Sequence, residues 1–377
     1  MIKPLTSLRF FFAFMVFLSH MEFSSVEAQT FNLSFDIFYF SEGYIGVSFF
    51  FILSGFILAF NYKQKFLEGK VSVKQFWVAR VARIYPLHVL TFILVLPITI
   101  KFILSQSVSI GILKFLCNIL LLQSFVPNAD FYFSFNALSW SLSCEMFFYL
   151  MFPMLIIFLS KKKSGMWLAL IAIILIPIGI HFCSNNLVHQ LFYINPLFRI
   201  VDFVLGILLF ELFQRNLLKN VTRNKNSATL IEFLAIALFI FFLSLRNIIP
   251  QGYRYSCYYW MPMIFIIYSF AHQKGLLSDL LSNKVFVILG EISFGFYLLH
   301  LLCIRYILII NSKLPVIQNN YLLVSIIFIT SIILSYYSYK KVETPANRYI
   351  KKLWLNKPVI NAQYRNIKLL DPAIEKK

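Results

Sequence analysis

The chain has 377 residues, of which 60% are hydrophobic and only 13% charged, and its mean hydropathy is +0.78. That composition excludes a soluble globular protein, which needs far more polar surface to face water. The formal net charge of +19 raises nucleic-acid binding as a reading. The placement of the charge excludes it, because Lys and Arg sit in short loops between apolar runs, the pattern of cytoplasmic membrane loops.

Eleven apolar segments follow in chain order, at about 5–22, 43–62, 84–104, 110–124, 138–160, 166–182, 196–214, 229–246, 255–272, 286–308 and 321–340. Most are long enough to cross a bilayer as helices, at about 20 residues per crossing. None shows the two-residue alternation of a membrane barrel. The basic loops 63–83, 161–163 and 215–225 and the tail after 339 should be cytoplasmic, and loop 23–42, with Glu27, Asp36 and Glu42, should lie outside. Loops 63–83 and 161–163 then share a side, which an odd number of intervening crossings forbids. The segment 110–124 is short and carries Gly111 and Lys114, so it is expected to be re-entrant or interfacial. The expected fold is an all-α, polytopic transmembrane helical bundle of about ten spans plus that short piece, with both termini cytoplasmic. Residues 1–352 form the transmembrane domain and 353–377 a short cytoplasmic tail. A cleaved signal peptide ending at Val26-Glu27-Ala28 competes with the first span, but Arg9 and His20 serve no purpose in one.

Ionisable residues within spans are costly and therefore candidates for function. On the first span Arg9 and His20 lie eleven residues apart, which is close to three helical turns. They share a face and are separated by about 16 Å along the axis. Guanidinium suits phosphate and imidazole suits proton transfer near neutral pH, so this face fits a ligand with phosphates at one end and a reactive group at the other. Arg80 and Arg83 stand i,i+3 before the third span and could clamp the same phosphates. Ser141, Glu145 and Tyr149 form a polar stripe on the fifth segment, beside Trp140. Ser293, Tyr297 and His300 share a face late in the chain. Arg199 and Asp202, also i,i+3, are placed to neutralise each other, and Glu211 and Arg305 read as structural. His88 is a possible residue of the cofactor mouth, while His181, His189 and His272 lie near loop ends and are expected to be solvated. The five cysteines are scattered without a CxxC pair, so no metal site is expected.

Taken together, these residues resemble the acyltransferase-3 family of membrane acyltransferases. Arg9 through His20 is similar to the family's first-helix motif, and residues 43–56 to its glycine-rich second helix. Arg80-Val81-Ala82-Arg83-Ile84-Tyr85-Pro86 resembles its RxxR segment, and Trp140-Ser141-Leu142-Ser143-Cys144-Glu145 its WSLxxE signature. Leu289-Gly290-Glu291-Ile292-Ser293 with Tyr297 through His300, and Val342-Glu343-Thr344-Pro345, are similar to its last motifs. Met146 after Glu145 departs from the family's usual small or acidic residue.

The resemblance implies transfer of an acyl group, acetyl at the family level, from cytosolic acetyl-CoA or another acyl-CoA to a hydroxyl of an extracytoplasmic glycan such as O-antigen. It implies His20 and Glu145 as catalytic residues and Arg9, Arg80 and Arg83 as cofactor-binding. Trp140, Ser141, Tyr297, His300 and Glu343 would support the substrate or the structure, and Glu145 or Glu343 would orient a histidine. The expected partners are acyl-CoA, a carbohydrate or lipid-linked glycan and membrane lipids, with no nucleic acid and no metal. The expected location is a bacterial inner membrane. The alternative is a transporter or flippase for a polar or glycolipid substrate, which leaves the Arg9–His20 register and the RxxR segment without a role.

Overall fold

The computed structural model describes residues 1–23, 40–161, 163–215 and 224–355. Glu27, Asp36, Lys162, Lys219 and Arg223, and the chain from 356 onward, lie outside the described residues, so the charges expected there are not placed. The described residues are helical, with no strand among them. Thirteen helices are labelled here. They are α1 (Lys3–Phe23), α2 (Gly46–Leu67), α3 (Val73–Leu104), α4 (Val108–Ile119), α5 (Trp140–Lys161), α6 (Lys163–Phe182), α7 (Pro196–Gln214), α8 (Lys225–Ser244), α9 (Trp260–Ala271), α10 (Leu276–Leu281), α11 (Lys284–Lys313), α12 (Asn320–Ser338) and α13 (Thr344–Trp354).

Among the described residues, eight helical stretches are long and apolar enough to cross a membrane. Two further helices stand at the remaining spans expected from sequence but are not among those eight. Helix α7 has 19 residues but carries Arg199, Asp202 and Glu211, and α9 has only 12 residues. The chain is an integral membrane protein, and its surface agrees. On α6, Trp167, Ile174 and Leu175 are 67%, 59% and 55% exposed, an arrangement that lipid tolerates and water does not.

Helix α4 explains the odd segment. Its 12 residues rise about 18 Å, well short of the ~30 Å hydrocarbon core. Gly111 lies against Ile103, while the His88 ring nitrogen Nε2 meets the Asn118 carbonyl at 2.9 Å. Helix α4 therefore folds back along α3. The chain after it is pinned by Asn118 donating to Ser134 at 2.6 Å, Gln123 to Ser139 at 3.1 Å and Ser124 to the Trp140 carbonyl at 2.7 Å. Backbone away from regular structure is tolerated at membrane depth when protein covers it in this way. His88 thus faces α4, and not the cofactor mouth considered from sequence.

Small residues let the central helices meet. A Cβ on Gly55 would lie 2.0 Å from the Phe203 carbonyl oxygen, and one on Gly206 1.9 Å from that of Ile52. The α2 and α7 backbones therefore touch directly, the close approach that small residues permit in membranes. Gly206→Val should force them apart and sharply lower the yield of monodisperse protein, measured by size-exclusion chromatography in detergent. A substitution at exposed Leu212 should not.

The two ends of the bundle can be told apart by their residues. One end, called here the arginine end, gathers the start of α1, the end of α2, the start of α3 and the end of α12. It is tied by Lys63 to Glu211 at 2.6 Å, by Ser7 to the Leu281 carbonyl at 2.5 Å and by Glu232. The buried Glu232 carboxylate accepts from the amides of Gly275, Leu277 and Ser278 at 3.0, 3.0 and 3.1 Å and from the Ser278 hydroxyl at 2.5 Å. It satisfies the open N–H groups of α10. Glu232→Ala should cost roughly 3 kcal/mol, since hydrogen bonds to a charged group carry about 1.5–3 kcal/mol each and part is regained by water. A thermal shift assay should show a clearly lower midpoint, and an unchanged midpoint would contradict this account.

Candidate active site

The arginine end is built from α1, α3, α5 and the turn after α12. On α3, the Arg80 guanidinium lies over the rings of Tyr62, Phe76 and Tyr149 at 5.6, 5.8 and 5.8 Å. Its Nη2 reaches the Tyr62 hydroxyl at 3.4 Å, while its buried Nε has no hydrogen-bond partner. One turn on, Arg83 donates to the Glu343 carboxylate at 2.9 Å and covers the Phe294 ring at 5.1 Å. Helix α3 is fixed to α5 by Trp77 donating to the Tyr149 carbonyl at 3.1 Å. The Tyr149 hydroxyl donates to Glu145 at 2.9 Å. Arg9 of α1 lies within the electrostatic reach of Arg83, Glu145, Tyr149 and Glu343, and Lys351 of α13 within that of Arg80 and Arg83. Four cationic side chains and the carboxylates of Glu145, Glu291 and Glu343 therefore form one electrostatic cluster.

The opposite end of α1 carries His20. Its Nδ1 stands 2.8 Å from the Val16 carbonyl oxygen. A carbonyl can only accept, so Nδ1 bears the proton and Nε2 presents its lone pair. The partner of His20 is His300 on α11. The two rings lie 5.1 Å apart at 62°, and His300 Nε2 approaches His20 Nδ1 at 3.4 Å. His300 Nδ1 is itself 3.0 Å from the Phe296 carbonyl. That leaves His300 Nε2 as an acceptor, able to share the His20 Nδ1–H. His300 is fully buried, and Asn136 ties its helix to the start of α5 by donating to the Leu298 carbonyl at 3.1 Å.

Between the two ends runs a polar line. The Tyr297 ring stands 6.2 Å from that of His300 and 6.0 Å from Phe50, and its buried hydroxyl, beside Ser141, lacks a well-formed hydrogen bond. Ser141 donates to the Leu138 carbonyl at 3.0 Å. Trp140 packs on Tyr193 at 4.8 Å. Helices α1 and α11 thus join an arginine cluster to a histidine pair through the bundle interior.

The arrangement differs from the sequence expectation in several places. Glu145 and Glu343 stand with the arginines, and the group that meets His20 is a second histidine. A carboxylate is drawn to the guanidiniums because its charge is compensated there and not beside a neutral imidazole. Arg305, read from sequence as structural, lies within the electrostatic reach of His20. The expected Arg199–Asp202 pair forms at 2.9 Å, and Arg199 also holds Ser48 and the Tyr255 carbonyl, each at 2.8 Å. His189 is half-buried and not fully solvated. It packs against Tyr193 and Tyr255 at 5.3 and 5.2 Å, and burial pushes its pKa down to about 4. Glu291, an ionisable residue of the late motif that sequence left without a role, accepts from Tyr339 at 3.4 Å.

A family model described as an acyltransferase domain matches residues 4–340. The chain is 31% identical over 329 residues to the acyltransferase MdmB of Streptomyces mycarofaciens, covering 81% of this chain and 79% of that protein. It is 26% identical over 361 residues to the O-acetyltransferase OatA of Staphylococcus aureus, covering 89% of this chain and 58% of that protein. A putative O-acetyltransferase of the same species is 26% identical over 328 residues, covering 80% of this chain and 52% of that protein. No solved structure matches significantly.

Proposed function

The chain belongs to the acyltransferase-3 family, and from that premise we propose that this membrane acyltransferase takes an acyl group from acyl-CoA at its arginine end and gives it to a glycan hydroxyl at its histidine end. The observation that carries this reading is the placement of the two groups on the same helices. Arg9 and His20 are on α1, and His300 is on α11, packed along it. Arg9, Arg80 and Arg83 would hold the phosphates of the donor, because planar guanidiniums bind phosphate oxygens in pairs. The buried, unpartnered Arg80 Nε supports the fit. The donor supplies an activated thioester.

The protein's own part is proton handling. The acceptor hydroxyl gives its proton to His20 Nε2 as its oxygen joins the acyl carbon, and His20 returns that proton to the departing sulfur. The resulting imidazolium is stabilised while it exists, because His300 Nε2 and the Val16 carbonyl both accept from Nδ1. The same Nε2 lone pair would attack the acyl carbon in a covalent route, and both routes need it free. His300 is a positioning residue in this scheme. Release of CoA thiol by purified protein, measured with acetyl-CoA and acceptor glycan, tests the reading. Turnover supports it, and none would leave the arginine end without a donor.

The arginine end faces the cytoplasm in this proposal and the histidine end faces outward, in a bacterial cytoplasmic membrane. Lys65, Lys70 and Lys74 near the arginine end support that orientation. A thiol engineered at Asn247 should react with an impermeant maleimide in intact cells, and one at Lys70 only after lysis. The reverse pattern would overturn the orientation.

A further inference from the structure

A cavity of about 410 Å³ opens at the histidine end, lined by Glu42, Tyr44, Arg246, Asn247, Gln251 and Arg254 among others. That volume falls in the range of small-ligand sites, about 300–1,000 Å³. Its floor is built and not loose. Glu42, 2% exposed, forms a buried ion pair with Arg254 and accepts from the hydroxyls of Tyr44 at 3.1 Å and Tyr259 at 3.0 Å. Arg254 is further fixed by the Ile249 carbonyl at 3.0 Å. Tyr44 is held by its neighbours, with ring centroids 5.7 Å from Tyr193 and 5.4 Å from Tyr255, and Tyr193 donates to the Tyr44 carbonyl at 3.1 Å.

The same segment rests on the helix that carries His20. A Cβ on Gly43 would fall 1.9 Å from the Met15 carbonyl oxygen and 2.9 Å from Ser19 Cβ. Glycine is therefore required for this segment to sit against Met15 and Ser19 in the last turns of α1, the helix that carries His20. The lining is also chemically specific. The amides of Asn247 and Gln251 each present a carbonyl beside an NH2, which matches the donor–acceptor pair of a vicinal diol. Guanidiniums donate to hydroxyl oxygens, and the Tyr44 ring in the lining offers an apolar face to ring C–H groups.

We propose that this cavity is the acceptor subsite and takes one or two sugar rings, placing a hydroxyl toward His20. The inference rests on the acyl-transfer reading for its role, but its ligand chemistry can be tested without turnover. Protein carrying Gln251→Cys is labelled with maleimide in the presence of oligosaccharides released from the host's own surface polysaccharide by partial acid hydrolysis. Labelling should slow at least tenfold, and Asn247→Trp in the same protein should abolish the protection while acetyl-CoA affinity stays within twofold. Unprotected labelling, or protection that survives Asn247→Trp, would overturn the subsite. Acyl transfer is measured on the wild-type preparation in parallel. Protection without transfer would count against the acyltransferase scheme and leave the sugar site standing.

Discussion

Replacing His20 with alanine should abolish acyl transfer while the protein still inserts and still binds acyl-CoA. The expectation follows from the separation of the two ends. His20 contributes nothing to the arginine cluster, so its removal leaves Arg9, Arg80 and Arg83 in place. It does remove the one Nε2 lone pair that the Val16 carbonyl and His300 leave available. Loss of a general base costs about 10²–10⁴-fold, and loss of a nucleophile costs more. His300→Ala should cost less, because the Val16 carbonyl still fixes the His20 tautomer. It should also change the pH profile of transfer, since the imidazolium loses an acceptor. The readout is product formation per mole of inserted protein. A well-inserted His20→Ala variant working near the wild-type rate would move the chemistry to His300.

The second large effect is on the donor. Arg80→Ala should weaken acetyl-CoA binding by roughly ten- to a hundredfold, since a charge-assisted contact carries about 1.5–3 kcal/mol. Arg80→Lys should also lose affinity, because the ammonium has no planar fork and stacks poorly on Tyr62, Phe76 and Tyr149. Arg83→Ala is a more complex change. It leaves Glu343, 3% exposed, as a buried carboxylate without its ion-pair partner, which is costly in itself. Pairing it with Glu343→Gln removes that penalty, so the double variant should regain folding and still bind acetyl-CoA weakly. Isothermal titration with acetyl-CoA checks both, and unchanged affinity in the Arg80→Ala, Arg83→Ala protein would leave these arginines as topology signals.

Much of this was legible in the sequence, for definite reasons. The spans follow from apolar length. The non-spanning nature of 110–124 followed from charge parity, and α4 folding back along α3 gives it a physical form. The Arg199–Asp202 pair could be read because i,i+3 spacing is a local geometric fact. What could not be read were contacts between distant helices. His20 and His300 are 280 residues apart, and no periodicity within one helix says which face of another it will meet. The same holds for Arg83 and Glu343, 260 residues apart, and for the Glu42–Arg254 pair that floors the cavity at the histidine end. The partial burial of His189 was missed because, apart from nearby Tyr193, its aromatic neighbours come from distant segments, around residues 132 and 255.

The central claim is that an acyl group passes from a cytosolic donor to a hydroxyl at the opposite end of the bundle. Everted membrane vesicles test it most directly, with the host's surface glycan trapped in the lumen and radiolabelled acetyl-CoA, which does not cross the bilayer, added outside. The account predicts alkali-labile label on the luminal glycan, lost in His20→Ala vesicles and reduced in Arg80→Ala vesicles. Label confined to the outer medium, or luminal labelling undiminished in His20→Ala, would contradict it.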